Sequence, residues 1–255
     1  MRRGALRVTR VAHTRERCPT ACGHPVGDNA AVTPDLSHWH GAPRPERRTL
    51  EGRYARLEPM TIARHEAQLF ESARAPGAEA RFAYLFESAP ADGLAFRRWM
   101  ETAVCGEDPL FFAVIDRATG RAEGRQALMR MDPANGVIEI GHILWGPAIA
   151  RTRVATEALS LLAQYVFDDL GYRRFEWKCN DRNAPSRRAA LRFGFTFEGI
   201  FRQHMVTKGR NRDTAWFSMI DAEWPALRSS YQAWLADDNF DGEGRQRRTL
   251  QQCRA

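Results

Sequence analysis

Residues 138–199 place an apolar strand, a short turn carrying two arginines, an amphipathic helix, a second short strand and a second helix in direct succession. The turn reads Ala150-Arg151-Thr152-Arg153-Val154-Ala155-Thr156-Glu157-Ala158. The helix predicted over residues 154–170 repeats small or apolar residues at Ala155, Ala158, Leu159, Leu162 and Val166, which puts them on one face. Gly171 is placed to close it. The second helix opens at Asn183-Ala184-Pro185, a capping residue followed by proline, and ends at Gly194. A strand that feeds directly into a helix sets the helix's free backbone N–H groups beside the strand's C-terminal end. That arrangement suits a pyrophosphate.

Two common nucleotide sites are absent from the sequence. No G-x-x-x-x-G-K-[ST] string occurs, and no G-x-G-x-x-G follows a strand; Gly136 and Gly141 lie before or inside one. Five scattered cysteines argue against a disulfide framework and suit a reducing compartment. Cys18, Cys22 and His24, with His13 upstream, lack the second ligand pair of a zinc finger, so no metal is expected. No apolar run approaches the length of a membrane span, and the arginine-containing N-terminus lacks the apolar stretch of a secretory signal. A soluble, cytoplasmic protein is the expectation. The net charge of +7 reads either as a solvated arginine-rich surface or as attraction for polyanions; no basic–aromatic nucleic-acid motif accompanies it.

Along the chain, residues 1–46 are rich in Arg, Pro, Gly and His without a sustained period, and read as a disordered extension. The folded domain is expected over residues 47–236, and the polar residues 237–255 read as a flexible tail. Within the domain, helices are predicted over residues 61–74, 91–105 and 224–235. Strands are predicted over 54–57, 110–115, 126–131, 137–145, 175–179, 195–203 and 216–220, with a tight turn at Asn135-Gly136 and a basic hairpin at residues 208–212.

The strings Glu139-Ile140-Gly141-His142, Ala155-Thr156-Glu157-Ala158, Asn183-x-x-Ser186, and Phe193-Gly194-Phe195 followed by Glu198-Gly199 resemble the GNAT acetyltransferases of the RimJ/RimL type. An opening strand at residues 50–59 extends the resemblance over about residues 49–224. The resemblance implies an α+β GNAT fold: a mixed, mostly antiparallel central sheet flanked by helices. It also implies acetyl-CoA as cosubstrate and an amine acceptor, in a monomer or homodimer.

In the family, a Gln/Arg-x-x-Gly-x-Gly/Ala turn cradles the pyrophosphate. Aligned on Ala155, this chain has Ala150 at the first position and Arg153 at the central glycine, so only the last position matches. Two outcomes stay open. Either the backbone is ordinary helix with its amides free and Arg151 and Arg153 adding charge-assisted bonds, or the site is crippled. The cofactor-binding set that the resemblance implies is Trp145, Arg151, Thr152, Arg153, Val154, Ala155, Asn183 and Ser186. Asn183 reads equally as an N-cap, and Arg187, Arg188 and Arg192 as solvated or reaching the 3′-phosphate.

Ser186 matches the serine held to protonate the departing thiolate. For the base, Glu139, His204 and His142 are candidates, with a water chain as the alternative. Glu139 and His142 are three apart, so an ideal strand sends them to opposite faces, and a bulge would alter that parity. Phe82, Tyr84 and Phe86 are read as core or as lining of an acceptor pocket. The expected activity is direct acetyl transfer to a primary amine, foremost a protein N-terminal α-amine. A small-molecule acetyltransferase and a non-catalytic CoA-binding or ribosome-associated module are the alternatives.

Overall fold

The structure, a computed structural model, describes residues 35–254. Residues 40–254 fall in one compact unit, and residues 35–39 belong to a separate N-terminal one. Among the described residues the strands are β1 (Leu50–Glu51), β2 (Ala55–Pro59), β3 (Leu110–Asp116), β4 (Arg121–Asp132), β5 (Val137–Trp145), β6 (Arg174–Asn180), β7 (Thr196–Thr207) and β8 (Arg210–Ile220). They form one sheet in the order β1-β2-β3-β4-β5-β6-β8-β7. Every neighbouring pair is antiparallel except β5 and β6. The helices are α1 (Ile62–Arg74), α2 (Ala78–Phe82), α3 (Gly93–Cys105), α4 (Arg153–Gln164), α5 (Ala184–Phe193) and α6 (Trp224–Leu235). The fold is thus α+β with a mixed, mostly antiparallel sheet, as the resemblance implied.

The unbroken apolar run of β3 explains its central place, because both of its faces are covered. Leu110, Phe112 and Val114 join the core that holds Leu159, Leu162 and Val166 of α4 and the π-helical turn that follows it. Phe111, Ala113 and Ile115 join a second core, with Leu69 of α1 and Phe96 and Met100 of α3. The sheet therefore separates two layers, one of α1–α3 and one of α4–α6. Local signals set the ends of these elements. Asp92 Oδ1 accepts from the Ala95 N–H at 2.8 Å to start α3. Gly171 takes φ +67° after α4 and its π-helical turn. Thr61 has the extended backbone of an N-cap without a side-chain bond; its N–H donates instead to His65 Nδ1 at 3.0 Å.

Both expected domain edges shift outward. Residues 40–46 belong to the compact unit: the Ala42 N–H donates to the Pro133 carbonyl at 2.9 Å and the Glu46 N–H to the Tyr165 hydroxyl at 2.8 Å. Residues 237–254, expected as a loose tail, are docked on the α4–α6 layer. Leu250 is 1% exposed, and Phe240 stands edge-on to Trp234 at 5.2 Å. Trp234 Nε1 donates to Gln246 Oε1 at 2.8 Å, and the buried Asn239 side chain both accepts from the Arg248 N–H and donates to the Trp234 carbonyl. Two apolar residues in a polar segment are enough to seat it when each finds a pocket, and composition averages hide them. Leu250→Ala is expected to lower stability by about 2–5 kcal/mol, read as a drop in the thermal unfolding midpoint. An unchanged midpoint would return this segment to a loose tail.

Candidate functional site

β5 and β6 pair in parallel only from Val137↔Arg174 to Ile140↔Trp177, although β5 runs on to Trp145 and β6 to Asn180. Past that point the strands part. The gap is a cavity of about 460 Å³ lined by residues 139–145 of β5, residues 177–180 of β6, the first turn of α5 and the segment between α2 and α3. A bulge in β5 shapes it. The register against β4 passes from Ala127↔Gly141 to Arg125↔Leu144, and His142 takes φ +50°. The extra residue removes the alternation expected between Glu139 and His142, and both line the same cavity.

The turn after β5 folds back toward β4. The Gly146 N–H donates to the Glu123 carbonyl at 2.8 Å, and the Ala150 N–H to the Gly146 carbonyl at 2.9 Å. A Cβ at Gly146 would collide with Ser72 Oγ and lie 2.7 Å from the Glu123 oxygen, so this approach requires glycine. Arg153, at the position where the family has its central glycine, is the first residue of α4 and has ordinary helical backbone. The left-handed conformation falls instead on Arg151, at φ +64°, at a cost of roughly 1–2 kcal/mol. Thr152 is extended, and its hydroxyl donates to the Ile149 carbonyl at 2.7 Å rather than capping α4. The first-turn amides of α4 therefore lack helical acceptors.

The side chains of this turn diverge. Arg153 Nη1 donates to the Tyr54 hydroxyl at 3.2 Å, and its guanidinium stacks 4.0 Å from the Phe240 ring centroid. Arg151 is exposed and has no hydrogen-bond or ion-pair partner among the described residues. Arg151, Thr152, Arg153 and Val154 line a second cleft of about 1030 Å³ that also holds Arg53, Arg117 and Arg245. Ala155 is 1% exposed and lets α4 lie close to the sheet. Glu157, read in the sequence as a first-turn acid, is buried and accepts the Arg53, Tyr54 and Ala55 N–H groups at 2.5–2.9 Å. It fixes the β1–β2 turn.

At the start of α5, Asn183 Oδ1 accepts from the Ser186 N–H at 3.2 Å, so its cap role is realised. Ser186 Oγ accepts from Trp177 Nε1 at 3.0 Å. Burial pushes the Cys179 thiol pKa up, and the Ser186 hydroxyl works against that shift. Trp145 Nε1 donates to Gln126 Oε1 at 3.2 Å, and its ring meets Phe193 edge-on at 5.8 Å. Trp145, Asn183 and Ser186 all line the cavity. Arg187 pairs with Asp181 at 2.6 Å, Arg192 reaches Thr156 Oγ1 at 3.3 Å, and Arg188 is exposed.

The three base candidates have different surroundings. Glu139 is 3% exposed; both its oxygens accept from Arg130 Nη1 at 2.8 Å, and Oε2 also pairs with Lys178 Nζ at 3.0 Å. His204 lies outside the cavity on β7, with Nδ1 at 3.0 Å from Thr214 Oγ1. His142 sits between Phe86 and Phe111, with ring centroids at 5.8 and 5.0 Å. Its Nδ1 is buried without a hydrogen bond, 3.8 Å from Glu87 Oε2. Tyr84 and Phe86 line the cavity, whereas Phe82 is core.

Sequence reasoning missed Arg125, Glu87, Lys178 and Arg212. Arg125 is 2% exposed, stacks 4.2 Å over Trp99, pairs with Glu87 and donates to the His142 carbonyl at 3.0 Å.

Burial, with repulsion from Arg125 and Arg130 that Glu87 only partly offsets, pushes the His142 pKa down to about 4. The unfolded chain takes up this proton near pH ~6.5, so the folded state loses stability as pH falls from there toward 4. His142→Phe is expected to flatten the fall of the unfolding midpoint across that window, by up to roughly 3 kcal/mol. Equal slopes in the two proteins would remove His142 from the acid response.

No group of three or more His, Cys, Asp or Glu residues able to hold a metal occurs among the described residues. Cys18, Cys22, His13 and His24 lie outside them. No helix among the described residues is long and apolar enough to cross a membrane. A family profile described as acetyltransferase (GNAT) domain matches residues 55–196. A GCN5-related N-acetyltransferase from Brucella melitensis is 61% identical, with a TM-score of 0.85 over 86% of this chain and 99% of that one. A GNAT-family protein from Chromobacterium violaceum is 42% identical, with a TM-score of 0.71 over 77% of this chain and 98% of that one. An uncharacterised N-acetyltransferase, p20, of Bacillus licheniformis is 32% identical over 44% of this chain, and the match spans 63% of its length. With the parted strands, the helix terminus beside them and these matches together, the chain belongs to the GNAT family of N-acetyltransferases.

Proposed function

We propose that this chain moves an acetyl group from acetyl-CoA directly to a primary amine, and that an α-amine is preferred to a lysine side chain. The observation that carries the reading is the opening between β5 and β6, bordered by the turn that leads into α4 and by the Ser186 hydroxyl. The residues present fit an acyl-CoA: first-turn amides without helical acceptors, an uncommitted Arg151 beside them, and a cavity leading inward. In this reading Arg151 and the amides of Arg153, Val154 and Ala155 hold the diphosphate. The Arg153 side chain stiffens the turn through Tyr54 and Phe240. Trp145 and Asn183 line the path of the pantetheine arm.

Bound acetyl-CoA supplies the thioester. Backbone N–H groups near the end of β5 are the donors for the oxyanion. The Trp177 indole donates to Ser186 Oγ, which leaves the serine's own proton to be given to another acceptor. Ser186 is thereby set to protonate a departing thiolate. Among the described residues that line the cavity, no unpaired carboxylate is present. The Glu139 carboxylate is occupied by Arg130 and Lys178, and the His142 imidazole is a weak acceptor with its pKa at about 4. The amine must then arrive largely neutral. An α-amine, pKa ~7.8, does so far more readily than a lysine, pKa ~10.4, a difference of roughly 3.5 kcal/mol. Positioning of amine and thioester carries the rate, a term of roughly 7–11 kcal/mol.

Incubation with acetyl-CoA and a mixed library of N-terminal peptides, lysine peptides and small amines, read by mass spectrometry and thiol release, tests the reading. Acetylated α-amines are expected; CoA binding without turnover of any amine would sink it. Ser186→Ala is expected to lower kcat by roughly 100-fold while acetyl-CoA affinity stays within twofold. Arg151→Gly keeps the left-handed backbone and removes the charge, so CoA affinity is expected to fall about tenfold by calorimetry with no loss of stability. Equal CoA affinity in the variant would take Arg151 out of the diphosphate site.

A further inference from the structure

Among the described residues, four cationic side chains line the cavity between β5 and β6: Arg81, Arg130, Lys178 and Arg212. Three are committed. Arg81 donates to the carbonyls of Ser72, Ala73, Ala75 and Pro76 and closes the end of α1. Arg130 holds both oxygens of Glu139. Lys178 pairs with Glu139 at 3.0 Å and with Glu176 at 2.6 Å. Arg212 is different. It is 6% exposed, and its one hydrogen bond is from Nε to Thr214 Oγ1 at 3.3 Å. Its guanidinium carbon lies 5.1 Å from the Phe86 ring centroid, and no carboxylate among the described residues is within ion-pair distance. Its two terminal nitrogens are left for whatever enters the cavity.

A guanidinium taken out of water without an anion is strongly disfavoured, and buried charges in folded proteins are paired. The sheet register shows which side of the cavity needs the anion. Cys179 is opposite Ala215, and both belong to the core layer of α4–α6, on the side where Ser186 stands. Lys178 pairs with Trp216 and Asn180 with Thr214, so Arg212, Thr214 and Trp216 alternate onto the other face, with Lys178, Glu139 and the Phe86 segment. On the reading that the acyl carrier takes the Ser186 side, this face receives the acceptor. Arg130 and Lys178 have Glu139 and Glu176 as partners, and Arg81 is held by backbone carbonyls, so Arg212 is the guanidinium left to take a carboxylate there.

We propose that the acceptor of this enzyme is an amine with a carboxylate close to it, and that Arg212 grips that carboxylate through its two terminal nitrogens while Phe86 covers the pair. The amine is thereby set toward the thioester side of the gap. A planar carboxylate matches the fork of a guanidinium with two parallel bonds. Its source is either an acidic residue at the start of a peptide or the carboxylate of a small amino acid. This assignment rests on the acetyl-transfer reading.

The test uses the full chain with acetyl-CoA and two matched pairs of acceptors: Ala-Asp-Ala against Ala-Asn-Ala peptides with amidated C-termini, and alanine against alaninamide. The quantity read is the ratio of kcat/KM, each expressed per neutral amine at the assay pH, acid over amide, within each protein. A ratio of roughly 10–100 is expected in one pair, and that pair identifies the source. The ratio is expected to collapse to near one in Arg212→Gln and to persist in part in Arg212→Lys, which keeps the charge without the fork. Because the ratio is internal to each variant, partial misfolding does not disturb it.

Ratios near one in the wild-type protein for both pairs would overturn the assignment, as would an undiminished ratio in Arg212→Gln. Calorimetry of the same four compounds with the CoA-loaded chain separates the two readings. Without turnover, binding of the acid member to wild type and not to Arg212→Gln keeps the carboxylate site and removes the transferase reading. Neither turnover nor binding overturns both.

Discussion

Four residue pairs of parallel ladder, ending at Ile140 and Trp177, fix the geometry of everything else at this site. Had β5 and β6 continued to pair, the sheet would close and no ligand could enter. Each strand is instead satisfied on its outer side only: β5 by β4 at Gly141, Leu144 and Trp145, β6 by β8 through Asn180. The inner backbone groups face the cavity, where a ligand with amide groups can complete the ladder. Three local devices keep the strands apart. The bulge at His142 turns β5, the Gly146 bond to Glu123 draws the following turn toward β4, and the Asn183 cap starts α5 at once after β6.

Charge pairing decides which groups remain free for chemistry. Glu157 is spent on the three amides of the β1–β2 turn, Glu87 on Arg125, and Glu139 on Arg130 and Lys178. Burial alone would raise the Glu87 pKa, yet Arg125, a backbone amide and His142 together lower it. The buried carboxylates near the cavity are thus each paired with a cation or a set of backbone amides. Among the described residues near the site, the first-turn amides of α4, the Arg151 guanidinium and the terminal nitrogens of Arg212 are left for a ligand. These suit binding and placing two reactants more than moving protons.

Elements set by neighbours in sequence were legible, and elements set by distant partners were not. Asp92, Asn183, Gly171 and Gly194 mark their helix ends through bonds and backbone angles that involve residues within one turn. The two-sided burial of β3 was visible as an unbroken apolar run. By contrast, the relative facing of Glu139 and His142 depended on a bulge of β5 against β4, which the sequence offered only as an alternative. The fate of Arg153 depended on Phe240, many residues away, and that of residues 237–254 on pockets beside Trp234 and Leu227. Lys178, within a predicted strand, and Arg212, in the predicted basic hairpin, gave no signal of the cavity, because only the sheet register brings them to it.

The docked C-terminal segment also braces the turn before α4, which lacks the family's glycines. A glycine turn leaves backbone freedom that binding must later remove, at an entropic cost. Here Arg153 sits in plain helical geometry, its guanidinium held by Tyr54 on one side and Phe240 on the other. Tyr54 is in turn tied to Asp237 and to the Leu235 carbonyl, and Arg254 donates to the carbonyls of Leu191 and Arg192 at the end of α5. The segment therefore braces α4, α5 and α6 against one another from outside. The first turn of α4 is stiffened by side-chain stacking before any ligand arrives, and Arg151 absorbs the one unusual backbone angle that remains.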